Sequence, residues 1–489
     1  MNAFKRKSLY LALVASGVGA IGMTGTASAV NVNSNGLGQV LIYPYYSVRS
    51  NTNTYISVTN TTASVKAVKV RFTEGRNSRE VLDFNLYLSP KDVWTGGLVA
   101  TADGAKLITS DTSCTSPAIP AAGANFVNYA YAGTLVTGIT QSGGDGDDAS
   151  NDRTREGYFE IIEMGVVTNT TVAGWATHTS ASVPANCAAI QSLDAGAGMG
   201  NLTVNAVAAP TGGLLGGASL INVAAGTDYT YDPVALASFS TQNIWFTGGS
   251  IFPDLRNASP ATSIVFKAGN VVRTNWTAAT ADSVTAVLDH DRLMNEFVLD
   301  AATLSMTDWV ITMPTKRYYT PVSATAGTHT NAPFTQNFKG GVGACEPISV
   351  TTYSREEQTT VAVGGFSPPA PGPAGTSLCW ETTIMTFNNG SAATSALLGS
   401  KNMVNLATSY TNGWVNMAFA QTYTSPLAVA AGNLPNATQH IYTGLPTVGF
   451  MVQDFVNGNV GGVLSNYGGN FIHKYTTNIA NAGVTANAD

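Results

Sequence analysis

Residues 66–94 read KAVKVRFTEGRNSREVLDFNLYLSPKDVW, six basic and four acidic residues in a chain of which only 11% is charged. Parity decides how they are used. Val68, Val70 and Phe72 fall on even positions and Lys69, Arg71 and Thr73 on odd ones, which is the period of a strand with one apolar face. After the Gly-containing loop 74–78 the pattern resumes, with Leu82, Phe84, Leu86 and Leu88 even and Asp83, Asn85 and Tyr87 odd. Two strands joined by a short loop is the direct reading. Upstream, TYISVTN at 54–60 puts Ile56 and Val58 on one face, and Asn60-Thr61-Thr62 signals a turn. The stretch predicts an antiparallel meander with one buried face. Lys69, Arg71, Glu80 and Asp83 are then expected on the solvent side, where cross-strand pairs contribute roughly 0.2–1 kcal/mol each.

The same grammar recurs downstream. GYFEIIEMGVV (157–167), TDWVITM (307–313), ETTIMTFNN (381–389) and TVGFMVQDF (447–455) read as strands. Asn457-Gly458 signals a hairpin, with VLSNYGGNFIHKY (463–475) as the returning strand. One segment departs from period two: ADSVTAVLDHDRLMNEFV has Asp282 or Ser283 as N-cap and apolar residues at helical spacing, which predicts a helix over about 283–298. The expected fold is mainly β, an antiparallel β-sandwich of Ig-like or jelly-roll-like architecture with long loops and one helix packed on a sheet. The organisation read from the chain is a signal peptide at 1–29, an N-terminal antiparallel β region at 30–140, an acidic loop at 141–157, a central β region carrying the helix at 158–345, and a C-terminal β region at 346–489.

The amino terminus argues for export. Lys5, Arg6 and Lys7 precede an apolar run from Leu9 to Met23 and the Ala27-Ser28-Ala29 cleavage pattern. No later run reaches the roughly 18 apolar residues of a spanning helix. Cleavage after Ala29 removes three of 23 basic residues and none of 29 acidic ones, leaving a net charge of −9. Nucleic acid is an unsuitable partner for such a surface. The four cysteines, Cys114, Cys187, Cys345 and Cys379, are expected to form two disulfides in an oxidising compartment. The pairing Cys114 to Cys187 and Cys345 to Cys379 is favoured, because each bridge would enclose an irregular stretch: the acidic run GGDGDDASND in one and SPPAPGPAG in the other. Determinants of binding or assembly are expected in the loops near 145–156 and 366–377.

The acidic run supplies the metal candidate. Asp145, Asp147, Asp148, Asn151, Asp152 and Glu156 offer hard oxygen ligands for calcium, although Ala149 and Ser150 break the EF-hand pattern. A solvated turn is the plainer use of these residues, and no other cofactor is indicated. Catalytic signatures are missing: no G-x-S-x-G, H-E-x-x-H, G-x-x-x-x-G-K-[ST] or C-x-x-C-H occurs. Asp289-His290-Asp291 attracts notice, but on a helix these neighbours point in different directions. Tyr43, Tyr45, Tyr46, Trp245 and Trp276 are candidates for stacking on sugars.

GQVLIYPYYSVRSNTNTYISVTNTT, VKVRFTEGRNSREVLDFNLYLSPKDVW, RTREGYFEIIEMG, HDRLMNEFVLD, TDWVITMPTKRYY and GVLSNYGGNFIHKY, spread from Gly38 to Tyr475, together resemble a family of exported and cell-surface proteins of Gram-negative bacteria. The resemblance implies an exported or surface location and supplies no reaction and no site residues. The expected function is a non-enzymatic cell-envelope or cell-surface protein, structural or adhesive, with self-assembly or a surface polymer or protein as partner. A carbohydrate-binding or carbohydrate-active secreted protein and an outer-membrane β-barrel are the alternatives, and location is read as periplasm, cell surface or extracellular.

Overall fold

The computed structural model describes residues 28–133, 143–194, 206–276, 281–359, 376–387, 393–426 and 437–486. The signal peptide expected at 1–29 lies outside the described residues except for its last two positions. Within them, strands Lys66–Glu74 and Glu80–Leu88 pair antiparallel with Val70 opposite Phe84 and Phe72 opposite Leu82. Val68, Val70, Phe72, Phe84 and Leu86 enter a core with Ile56, Val58 and Trp94, as the parity requires. Each large apolar side chain so buried contributes about 1.5–3 kcal/mol.

The meander itself is corrected. Strand Asn53–Asn60 pairs with Val93–Ala100 and Leu214–Asn222 in the opposite layer. Residues 61–65 thus carry the chain across the core. Asn60 sets that crossing: its Oδ1 accepts from the Thr62 N–H at 3.0 Å and its Nδ2 donates to the Ser64 carbonyl at 2.8 Å. Such local side-chain bonds draw the backbone out of the ladder and into a turn.

The result is a sandwich. One sheet runs Val234–Ala237, Val40–Ser47, Glu156–Val167, Lys66–Glu74, Glu80–Leu88, Cys114–Ser116; the facing sheet runs Thr227–Tyr231, Leu214–Asn222, Asn53–Asn60, Val93–Ala100, Ala105–Ile108, Ala124–Asn125. Gly216 is needed where the layers meet, because a Cβ there would collide with the Tyr43 hydroxyl, which donates to the Ser57 carbonyl. A second pair of sheets follows. Five strands run Met403–Asn405, Thr382–Thr386, Met306–Thr312, Val448–Val460, Val463–Ile472, and four run Ser349–Ser354, Asn412–Ala418, Arg292–Val298, Lys474–Thr476. The inner strands of the five-stranded sheet are buried on both faces. Trp309, Ile311, Met385 and Met451 pack into the C-terminal core, while Val310, Ile384, Phe450 and Val452 pack into the N-terminal one. Every described sheet is open, with none closed into a barrel.

The helix expected over 283–298 is corrected to a short helix, Asp282–Val287, followed by the pair Asp289–His290 and the strand Arg292–Val298. Leu293 and Phe297 fit an i, i+4 helical stripe and one face of a strand equally well. Pairing with Asn412–Ala418 over seven residues decides for the strand. The hairpin turn also moves. Its two central residues are Gly461 and Gly462, with φ of 62° and 86°, and a register shift occupies the ladder between Val456 and Asn459. Two positive φ values are what a two-residue hairpin demands, and Gly-Gly meets that without strain.

Both disulfides form with the expected partners, Cys114–Cys187 and Cys345–Cys379, and such bridges belong to an oxidising compartment. The first ties the helix Cys187–Asp194 to the strand Cys114–Ser116. The Pro-rich run 367–375 inside the second lies outside the described residues. No helix among the described residues is long and apolar enough to cross a membrane.

Candidate binding site

The odd face of the opening hairpin, expected in water, is instead covered, and this creates the site. Lys69 is fully buried and Arg71 is 4% exposed. Lys69 Nζ donates to the Ser250 carbonyl at 2.8 Å, and Asn85 Nδ2 donates to the Phe246 carbonyl at 2.9 Å. Asp194, at the end of the disulfide-tied helix, accepts from Asn85 at 3.0 Å and from the Tyr87 hydroxyl at 3.1 Å. The segment 244–257 thus lies as a third layer over a charged sheet face. Parity reports which side chains share a face; it says nothing about what later packs on it.

In register across three strands stand Glu160, Arg71 and Asp83. Arg71 donates through Nε to Glu80 at 2.7 Å and through Nη1 to Glu160 at 2.9 Å. Lys69 pairs with Asp83 at 2.6 Å. Above this floor is a cavity of about 430 Å³ whose charged lining is Arg71, Arg256 and Arg317 against Glu80, Asp83 and Asp254, with Tyr158, Tyr318 and the partly exposed Tyr129 as aromatic walls. Arg256 pairs with Asp254 at 2.6 Å and lies over the rings of Tyr318 and Phe252 at 5.0 and 5.3 Å. Burial raises the Glu160 carboxyl to about 7, although Arg71 opposes the shift. Burial, then the charge of Asp83, raises Glu80 to about 7 as well.

Three positive and three negative groups line the space, and each lining carboxylate is held by a cation. That arrangement presents donors and acceptors in fixed positions without a net field. It suits a neutral, hydroxyl-rich ligand better than an ion.

The acidic run lies at the end of the same sheet, and its carboxylates face arginines. Arg153 binds Asp145 at 2.7 Å and Glu74 at 2.9 Å; Arg76 binds Asp147 at 3.0 Å; Arg49 binds Glu156 at 2.5 Å and Asp152 at 3.2 Å; Lys401 also reaches Asp152 at 2.8 Å. Against partial burial, which pushes it up, the hydrogen bonds and charges of Arg49 and Lys401 hold Asp152 down at about 2. Asp148 accepts from the Ser150 N–H, and Asn151 Nδ2 donates to Asp103. The six calcium candidates are therefore distributed over separate partners, and among the described residues no three His, Cys, Asp or Glu side chains gather as a metal site. The five aromatic candidates are corrected too: Tyr43, Tyr45, Tyr46, Trp245 and Trp276 are all buried and serve as core. What the sequence reading missed was Arg256, Arg317, Tyr129 and Tyr318 around the cavity, which come from three separate segments and share no common pattern.

Comparison with family models, curated proteins and solved structures finds no match to this chain.

Proposed function

We infer that this protein is an exported, non-enzymatic protein of the cell envelope or cell surface that works by binding and adhesion, and that the cavity over the charged sheet face takes a hydroxyl-rich segment of a surface polymer such as a glycan. The observation that carries this reading is the charge-balanced lining of that cavity, with its carboxylates engaged by Lys69, Arg71 and Arg256. The disulfides, the amino-terminal sequence and the scarcity of charge support export. Self-assembly has its own support in the strand Val463–Ile472, which ends the five-stranded sheet and exposes Tyr467 at 60% and Ile472 at 63%. Those exposed apolar side chains form a surface that a second copy of the chain can cover.

The test is a glycan array run on the mature protein beside a reducing-sugar release assay. Binding without release is expected, with loss of binding in Arg256→Ala. Silence on the array and toward whole cells overturns the adhesive reading. Release of reducing sugar makes the protein an enzyme.

A further inference from the structure

Asp289-His290-Asp291 belongs to none of the machinery above. Asp289 and His290 form a two-residue strand, so their side chains take opposite sides, and Asp291 follows at a bend. His290 is occupied, with its ring against Tyr475 at 3.9 Å and its Nδ1 at 3.0 Å from the Thr447 hydroxyl. Asp289 is different. It is 1% exposed, and neither carboxylate oxygen has a hydrogen-bond partner. No described lysine, arginine or histidine pairs with it, and the charge that acts on it is the like charge of Asp291. Asp291 leaves Oδ1 without a partner, and its Oδ2 is 3.6 Å from Nε of the half-exposed Arg292.

The neighbouring strand adds oxygens of the same kind. The Phe419 N–H donates to the Asp291 carbonyl at 2.9 Å, and the Gly444 N–H donates to the Gln421 carbonyl at 2.8 Å. Gly444 lies directly against Asp289, since a Cβ there would come within 2.8 Å of Asp289 Oδ2. Gln421, just before the strand Thr422–Thr424, and Tyr423 on it are 7% and 8% exposed; Gln421 Nε2 donates to the Pro347 carbonyl at 2.9 Å, while Gln421 Oε1 and the Tyr423 hydroxyl have no partner. The hydroxyl lies within the electrostatic reach of Asp289. A buried carboxylate with no counter-charge is among the costliest groups a fold can contain, and it persists where it is protonated or meets a cation.

We propose that Asp289 and Asp291, with the side-chain oxygens of Gln421 and Tyr423, form a buried site for a hard divalent cation, calcium. All four donors are oxygens, as calcium requires, and two carboxylates neutralise it. The site joins the short pair Asp289–His290 to the strand Thr422–Thr424, so the bound ion locks the segment 288–292 onto that strand and its partner Ala437–Thr443. It is independent of the cavity at Arg71.

The experiment is calcium titration of the mature chain by calorimetry, with terbium as a luminescent probe sensitised by Tyr423 and by Trp276, whose ring is 6.2 Å from it. One calcium per chain is expected, with affinity of about 10⁻⁴ to 10⁻³ M, the range of extracellular calcium modules, together with a rise in Tm on adding calcium. Asp289→Asn should abolish the terbium signal and the calcium-dependent rise, and in chelator it should melt no lower than the native chain. Asp145→Asn should leave the calcium response intact. If Asp289→Asn fails to fold, Asp291→Asn is read instead and should bind at least about tenfold more weakly, a loss of 1.4 kcal/mol. Absence of calcium binding, binding unchanged in these variants, or loss of binding in Asp145→Asn overturns the site. Glycan binding is measured separately and does not bear on it.

Discussion

Lys66 and Glu163 are both fully buried, 2.5 Å apart, and the carboxylate also accepts from the N–H groups of Thr211 and Gly212. Lys66→Met leaves that charge without its cation, which typically costs about 3–5 kcal/mol. Urea unfolding should show a midpoint lowered accordingly with an unchanged slope. Glu160 makes a different prediction. Its folded pKa stands at about 7 against an ordinary 4.5, so folding takes up a proton between those values. The associated stability is complete below pH 4.5 and is lost as pH rises through about 7. Glu160→Gln removes that loss, and the difference in Tm between variant and native protein should move in favour of the variant from pH 4.5 to pH 7.5. A difference that stays constant across this range would show that Glu160 is ionised throughout.

At the scale of elements, the disulfide Cys114–Cys187 does more than close a 73-residue span. It fixes the helix that brings Asp194 onto Asn85 and Tyr87, beside the layer formed by 244–257. Replacing both cysteines by serine should cost about 2–5 kcal/mol. It should also raise hydrogen exchange in 187–194 and 244–250 more than in the strand Lys66–Glu74. Uniform loss of protection would mean that the bridge stabilises only globally. The segment 282–298 shows how an element is decided. Its apolar spacing is compatible with a helix, and its conversion to strand comes from a ready partner at 412–418, whose ladder outweighs modest helical propensity.

For the whole molecule, the two-faced sheet of Met306–Thr312, Thr382–Thr386 and Val448–Val460 joins the N-terminal and C-terminal cores. Neither part can lose it without exposing an apolar face. Calorimetry should therefore give one cooperative transition, and residues 30–276 alone should not fold; two separated transitions would contradict the shared core. Ile472→Lys, at an exposed apolar position of Val463–Ile472, should reduce self-association in sedimentation experiments without lowering Tm, because a charge there opposes burial of that surface.

Alternation in 66–88 determined which residues share a face, and the odd-numbered charges do share one. Cysteine placement within irregular stretches pointed to both bridges, and the overall β class followed from period two and turn residues. These are local properties, set by backbone geometry within a few residues. Tertiary structure decided the rest. It put Asn53–Asn60 in the opposite sheet, laid 244–257 over Lys69 and Arg71, matched the acidic run to Arg49, Arg76 and Arg153, and left Asp289 with none. The reason is physical: burial, ion pairing and cavity formation depend on which distant segment covers a face. Arg71 with Arg256, or Asp289 with Tyr423, meet across more than a hundred residues of chain. A run of carboxylates looks like a cation site in the sequence, and the fold sets arginines against it while leaving Asp289 without one.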